Sequence, residues 1–332
     1  MGVVTSWTLP EPMLTEPVSS PDLPIGWAAE PKWDGYRAQL AVGEGGRVAL
    51  RSRRGAEMAA AFPEVVRAAQ AQLGEGVGLD GELVVWEGGR LAFERLQRRL
   101  ASRGARAEHA AREWPAHYVA FDFLHDGGQD LSRWPYVRRR AALEELFAGL
   151  PAAGPLALCP STTDPAVARE WLGWTAAGLE GLCFKRLDER YLPGRRAWRK
   201  YKVRTTTEAI VGAVTGTPAM PGTVLLGRRD PDGQLRYVGR TTGLSPALAR
   251  DLAGRLTPAQ GTGHPWTGWT FSAGWGSREK LDVRLVEPQV VLEVSADTAR
   301  DSAGRWRHPV RAHRARIDLG VGELPPDRGA RP

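Results

Sequence analysis

The sequence predicts an α+β domain of antiparallel sheets flanked by helices, followed by a small closed β-barrel. The chain has 332 residues, 42% hydrophobic and 25% charged, which is enough to bury a core and long enough for two domains rather than one. Up to the threonines at 205 to 207, short strand-like runs alternate with stretches whose apolar residues recur at three and four. Beyond them, short strands follow one another with a single helix between, the pattern of a small barrel.

The elements follow in order. EPKWDGYRAQL (30–40) alternates as a half-buried strand does, and RVALRSR, VGLDGELVVW, HYVAFDFL and GLCFKR read as further strands. Helical periodicity marks AEMAAAFPEVVRAAQAQL, FERLQRRLASRGARAEHAAR and YVRRRAALEELFAGL. Pro63 suits a first helical turn, so the first helix starts there and the alanines before it form a turn. In the second part the strands are EAIVGAVTG, GTVLLGRRD, QLRYVGRTT and EPQVVLEVSAD. Pro231, Asp232 and Gly233 supply a hairpin turn between the second and third. SPALARDLAGRL is the inserted helix. The OB-fold is the commonest barrel of this size serving nucleic acids. The expected division is 1–205 for the first domain and 206–320 for the barrel, with 321–332 a disordered tail.

A net charge of +7 and a pI near 9.8 favour a polyanionic partner, nucleic acid above all. No run of about 18 apolar residues is present to cross a bilayer. The Pro-rich start lacks the basic and apolar regions of a signal peptide, so the cytoplasm is the expected compartment. Cys159 and Cys183 are too few for a four-cysteine zinc site and read as plain buried thiols. The histidines show no metal-ligand spacing.

KWDGYR carries the most chemistry. A lysine amine attacks only when unprotonated, and burial beside other cations lowers its pKa. Arg37 stands close enough to Lys32 in sequence to be that cation. On a strand Lys32 and Asp34 share a face, so the carboxylate can orient the amine or a metal, and Gly35 leaves room for a ligand at the backbone. Further candidates follow along the chain. SRRG places Arg53 before a glycine turn, where it can fork onto a phosphate or sugar. LDGELVVW offers Glu82, VAFDFL offers Phe121 and Asp122, EGLCFK offers Glu180 and Lys185, and WRKYKVR puts Lys200 and Lys202 on one strand face. Carboxylates for a divalent ion, an aromatic plate for a base and lysines for a triphosphate suit nucleotidyl transfer.

These motifs resemble those of the ATP-dependent DNA ligases, within the covalent nucleotidyltransferases that also include RNA ligases and mRNA-capping enzymes. K-x-D-G-x-R stands as KWDGYR, S-R-x-G as SRRG, the aromatic strand motif as VAFDFL, E-G-x-x-x-K as EGLCFK and K-x-K as KYK. The layout, a nucleotidyltransferase (adenylation) domain and an OB domain, is similar to that of the small bacterial ligase C. The family's final motif, R-x-D-K, is represented by RID followed by Leu319, so the usual lysine is missing.

The resemblance implies that Lys32 attacks ATP to form a lysyl-AMP, that AMP passes to a DNA 5′-phosphate, and that the 3′-hydroxyl then seals the nick. It implies that Glu30 and Phe121 hold adenine, and that Arg37, Arg53 and Glu82 surround ribose and phosphate. Glu82 and Glu180 would support Mg²⁺ or Mn²⁺, and Lys185, Lys200 and Lys202 would grip phosphates. The implied partner is nicked double-stranded DNA, met by a monomer in DNA repair; an RNA ligase or a capping-type transferase is the alternative. An NAD-using enzyme is disfavoured, because that group carries a cysteine-rich zinc module. In the second domain Arg228, Arg229, Arg236, Arg240, Arg305, Arg307, Arg311, Arg314 and Arg316, interspersed with Tyr237 and Trp306, read as a surface that follows a phosphate backbone.

Overall fold

The structure, a computed structural model, describes residues 8–272 and 279–327. The chain forms two compact units, Met1–Lys202 and Val203–Pro332, dividing just ahead of the boundary expected at 205.

Among the described residues the first unit has eleven strands: β1 Leu14–Pro17, β2 Trp27–Trp33, β3 Tyr36–Val42, β4 Val48–Ser52, β5 Gly78–Glu87, β6 Arg90–Leu91, β7 Ala116–Asp126, β8 Gln129–Asp130, β9 Leu156–Leu158, β10 Leu179–Arg186 and β11 Arg196–Lys202. They build two sheets. One has the order β1-β11-β10-β2, and the other β4-β3-β5-β7-β8 with β6 on β5 and β9 on β7. Pairing is antiparallel except for β1 with β11 and β7 with β9. The larger sheet buries its apolar face under helices α1 Pro63–Gln72 and α2 Phe93–Leu100, with α3 Ala105–Glu113 packing on α1, and under α4 Tyr136–Ala148. Leu40, Leu50, Phe62, Leu79, Tyr118 and Leu143 fill the space between. Helix α5 Pro165–Trp171 covers the smaller sheet at Ala168 and Trp171. Pro63 opens α1, as expected. The stretch from Phe93 is two helices rather than one, because Gly104 adopts a positive φ of 55° that a helix does not contain.

The chain changes sheets inside KWDGYR: β2 belongs to the smaller sheet and β3 to the larger, with a bend at Asp34 and Gly35. A Cβ on Gly35 would lie 2.1 Å from the carbonyl oxygen of Leu83 in β5. The glycine is therefore required by the close passage of a neighbouring strand. This replaces the expectation that it clears space for a ligand, and Asp34 lies past the end of β2 rather than within it.

The second unit contains β12 Arg204–Thr217, β13 Met220–Arg229, β14 Leu235–Arg240, β15 Val283–Leu285, β16 Val291–Asp297 and β17 Arg311–Ala315. Their order is β14-β13-β12-β16-β17, with β15 on β12. The sheet closes where Thr241 bridges Val310. Val211, Leu226, Val238, Leu292, Val294 and Trp306 fill the interior, and helix α6 Pro246–Ala253 adds Leu248 and Leu252. Ser245 caps α6 by accepting from Leu248 N.

Two expectations change here. Trp306 lies in the barrel core and is not a surface aromatic for bases, and Tyr237 is half-buried against the Trp266 and Phe271 cluster. Residues 321–327 are not a disordered tail: Val321 and Leu324 pack against the same cluster, and Asp327 N donates to Arg229 O at 2.7 Å. The remainder of that segment, 328–332, lies outside the described residues.

Candidate active site

The seam between the two sheets of the first unit gathers most of the residues picked out by sequence. Strand pairing sets Lys32 opposite Gly181 and Gly181 opposite Lys202, then Glu30 opposite Cys183 and Cys183 opposite Lys200. Residues directly opposed in a sheet share a face, so one floor carries Lys32, Glu30, Lys200 and Lys202. Gly181 keeps that floor low. Its φ is 152°, and a Cβ there would lie 1.9 Å from Tyr201 O. A register irregularity between Leu179 and Gly181 brings Glu180 onto this side.

Glu180 Oε2 pairs with Lys32 Nζ and lies 3.4 Å from Lys202 Nζ. Glu82 on β5 stands beside both Lys32 and Glu180. Burial alone pushes the Lys32 amine down, but the carboxylates of Glu180, Glu82 and Asp34 outweigh it and hold the amine above its ordinary value. This reverses the expectation of a lysine made neutral by a neighbouring cation. Burial pushes the Glu82 carboxyl up to about 8, with Glu180 and Asp34 adding to the rise against the pull of Lys32 and Arg37. Lys200 moves the other way, downward, through burial and the like charges of Lys32, Lys202, Arg53 and Arg196. Among the described residues Lys200 has no carboxylate partner. Arg53 is exposed on its turn, also without a carboxylate, within electrostatic reach of Lys200.

Arg37 is not the cation that acts on Lys32, because its guanidinium is already engaged. Nε and Nη2 donate to the two oxygens of Asp80 at 3.1 and 2.6 Å, and Nη1 donates to Met13 O at 2.6 Å. It rests against Phe121 and Trp198, 5.5 and 5.1 Å from their ring centres. Lys185 was expected on phosphates and is instead 1% exposed. Its ammonium lies 2.8 Å from Glu30 Oε2, donates to Phe121 O at 2.6 Å and faces the rings of Phe121, Trp198 and Tyr136. Glu30 also accepts from Tyr136 Oη at 2.6 Å. Beneath it, Arg139 donates to both oxygens of Asp122 at 2.7 and 3.1 Å. Both cysteines are thiols raised by burial, Cys183 to about 11.

Sequence reasoning missed Asp80, Tyr136, Arg139, Tyr191 and Trp198. Asp80 carried a signal, since it stands two positions before Glu82 on one strand. The others did not, being brought in by folding alone. The candidate metal residues fit a divalent ion in part. Glu82 and Glu180 stand within electrostatic reach of each other at the seam, while no group of three or more metal-binding side chains occurs among the described residues. A cation held there would need phosphate oxygens and water to complete its shell.

Residues 12–202 match the model of the ATP dependent DNA ligase domain, and 218–319 that of the ATP dependent DNA ligase C terminal region. The chain belongs to the ATP-dependent DNA ligases. Among its relatives, DNA ligase C2 of Mycolicibacterium smegmatis is 35% identical over 92% of this chain and 90% of its own length. DNA ligase C of Mycobacterium tuberculosis is 33% identical at the same coverage. The crystal structure of the ligase domain of M. tuberculosis LigD aligns over 96% of this chain and 98% of its own, with a TM-score of 0.50 and 30% identity. A Lig E DNA ligase, at 20% identity and a TM-score of 0.57, shares the fold. The α+β domain is thus a ligase adenylation domain and the barrel an OB-fold. The enzyme uses ATP to join DNA ends, and the RNA-ligase and capping alternatives give way to a DNA ligase.

In the OB domain several arginines expected to face DNA are spoken for. Arg236 pairs with Asp230, Arg305 with Asp301 and Arg314 with Glu293, and Arg307 is buried. In the RIDL stretch Arg316 pairs with Asp318 at 2.8 Å and with Glu208 at 2.7 Å. Leu319 supplies no charge beside it. Among the described residues no helix is long and apolar enough to cross a membrane.

Proposed function

We propose that this ligase seals nicks in duplex DNA during repair, as a cytoplasmic monomer, with Lys32 as the nucleophile. One observation carries the assignment: the Lys32 amine stands at the seam of the two sheets, with Glu82 and Glu180 on one side and the Lys200 and Lys202 ammoniums on the same floor.

Lys32 Nζ, once it has lost a proton, attacks the α-phosphorus of ATP. The N–P bond forms as the P–O bond to pyrophosphate breaks. Lys200, Lys202 and the exposed Arg53 face the triphosphate charge; among the described residues no carboxylate competes for Lys200 or Arg53, whereas Lys202 shares Glu180. A divalent cation held by Glu82 and Glu180 would supply charge neutralisation at the phosphates and withdraw the carboxylate field that keeps Lys32 protonated. Glu30 and Phe121 take the adenine; Lys185 works from beneath, fixing the Glu30 carboxylate and the Phe121 backbone rather than touching a phosphate. Arg37 and Glu82, paired across β3 and β5, meet the ribose side. The AMP then passes from nitrogen to the 5′-phosphate of the nick, and attack by the 3′-hydroxyl expels it.

Incubation with α-labelled ATP and Mg²⁺ or Mn²⁺ should add one AMP to the mass of the protein, on the peptide containing Lys32. Lys32→Ala should carry no label. A labelled Lys32→Ala protein would refute the assignment.

A further inference from the structure

Tyr191 lies in the loop between β10 and β11, and nothing in KWDGYR, SRRG or KYK points to it. Its hydroxyl is the meeting point of segments far apart in sequence. It donates to Asp80 Oδ2 at 2.6 Å and accepts from Met13 N at 2.9 Å. Arg37 Nη2 and Gln39 Nε2 each approach it at 3.4 Å. The ring packs edge-on against Trp198, with centres 5.7 Å apart. Asp80 is fully buried and holds Arg37 by two parallel hydrogen bonds, and its Oδ2 accepts from Arg37 and Tyr191 together. The aim of the Arg37 guanidinium is thus set by a carboxylate that is itself fixed by the phenol.

We propose that Tyr191 is a positioning residue of the adenylylation step, acting through Asp80 to hold Arg37 in place. The phenol also joins the segment before β1 and the β10–β11 loop of the smaller sheet to β3 and β5 of the larger one. Arg37 therefore keeps its place relative to Lys32 although the two stand on different sheets. Tyrosine is needed because one hydroxyl must donate to Asp80 while accepting from Met13. Phenylalanine preserves the ring contact with Trp198 and removes only that link.

The inference rests on the assignment of Lys32 as nucleophile, and the two fail separately. Absence of label on the parent enzyme removes the assignment. A labelled parent whose Tyr191→Phe variant is equally fast removes only the role of Tyr191. Single-turnover adenylylation at saturating ATP should be about tenfold slower in Tyr191→Phe, the scale of one lost hydrogen bond to a charged group. A purely structural role would lower the melting temperature and multiply with any other lesion. Action through Arg37 predicts that Arg37→Lys combined with Tyr191→Phe is no slower than Arg37→Lys alone. Asp80→Asn breaks the same link from the other side and serves if Tyr191→Phe does not fold; it too should add nothing to Arg37→Lys. Rates equal to the parent, or losses that multiply in the double variant, would overturn the proposal.

Discussion

Lys32 is held as an ammonium by Glu180, Glu82 and Asp34, yet the reaction proposed for it requires the free amine. Adenylylation should therefore accelerate as pH rises, because the amine is held above its ordinary value; a kcat/KM profile flat from about pH 6 to 9 would contradict this. Glu82 also links pH to stability. Its folded value of about 8 exceeds the ordinary 4.5, so between those values the folded state binds more protons than the unfolded one. Stability contributed with the carboxyl protonated is then lost as pH rises through that window. Glu82→Gln should melt higher than the parent at pH 9 and similarly at pH 4, by roughly 1–2 kcal/mol after allowance for partial exposure. Lys185→Met leaves Glu30 buried without its ammonium and should cost about 3–5 kcal/mol in urea unfolding, with part recovered in Glu30→Gln/Lys185→Met.

At the scale of elements, two glycines set the site's geometry. Gly35→Ala would drive a methyl into Leu83 O, and the bend joining β2 to β3 would have to open. Denaturant unfolding should show a loss of more than about 2 kcal/mol, together with slower adenylylation, because Lys32 and Arg37 hang from the two sides of that bend. Strand candidates with clean alternation were legible in the sequence, as were the hairpin at Gly233 and the helix start at Pro63. Short strands were not: β15 and β17 hold only three and five residues, and what makes them strands is pairing with β12 and β16. Motif residues on one strand, such as Lys200 and Lys202, could be read directly. Tyr191 and Asp80 could not be joined by reading, since 111 positions separate them. The surroundings of Lys185 were hidden for a related reason: its charge was visible, but not the aromatic walls and the buried carboxylate that enclose it.

For the molecule as a whole, the 45 lysines and arginines outnumber the cations that are free to meet DNA. Arg305 and Arg314 are bound to carboxylates within the OB domain, whereas Arg311 is exposed, with no carboxylate partner among the described residues. Arg311→Ala should reduce the slope of log K against log salt for nicked duplex by about 0.9, and Arg305→Ala should leave it nearly unchanged. Equal changes in both would mean that the internal pairs dissolve on binding. Charge was legible in composition; its division between internal pairs and surface needed the fold.

The clasp of Lys32 by Glu180 also bears on the idle enzyme. Aldehydes, isocyanate and activated esters consume free amines, and a lysine kept as a salt does not answer them. If Lys32 is the nucleophile proposed, its safekeeping between rounds is thus built into the same carboxylate that would hold a cation.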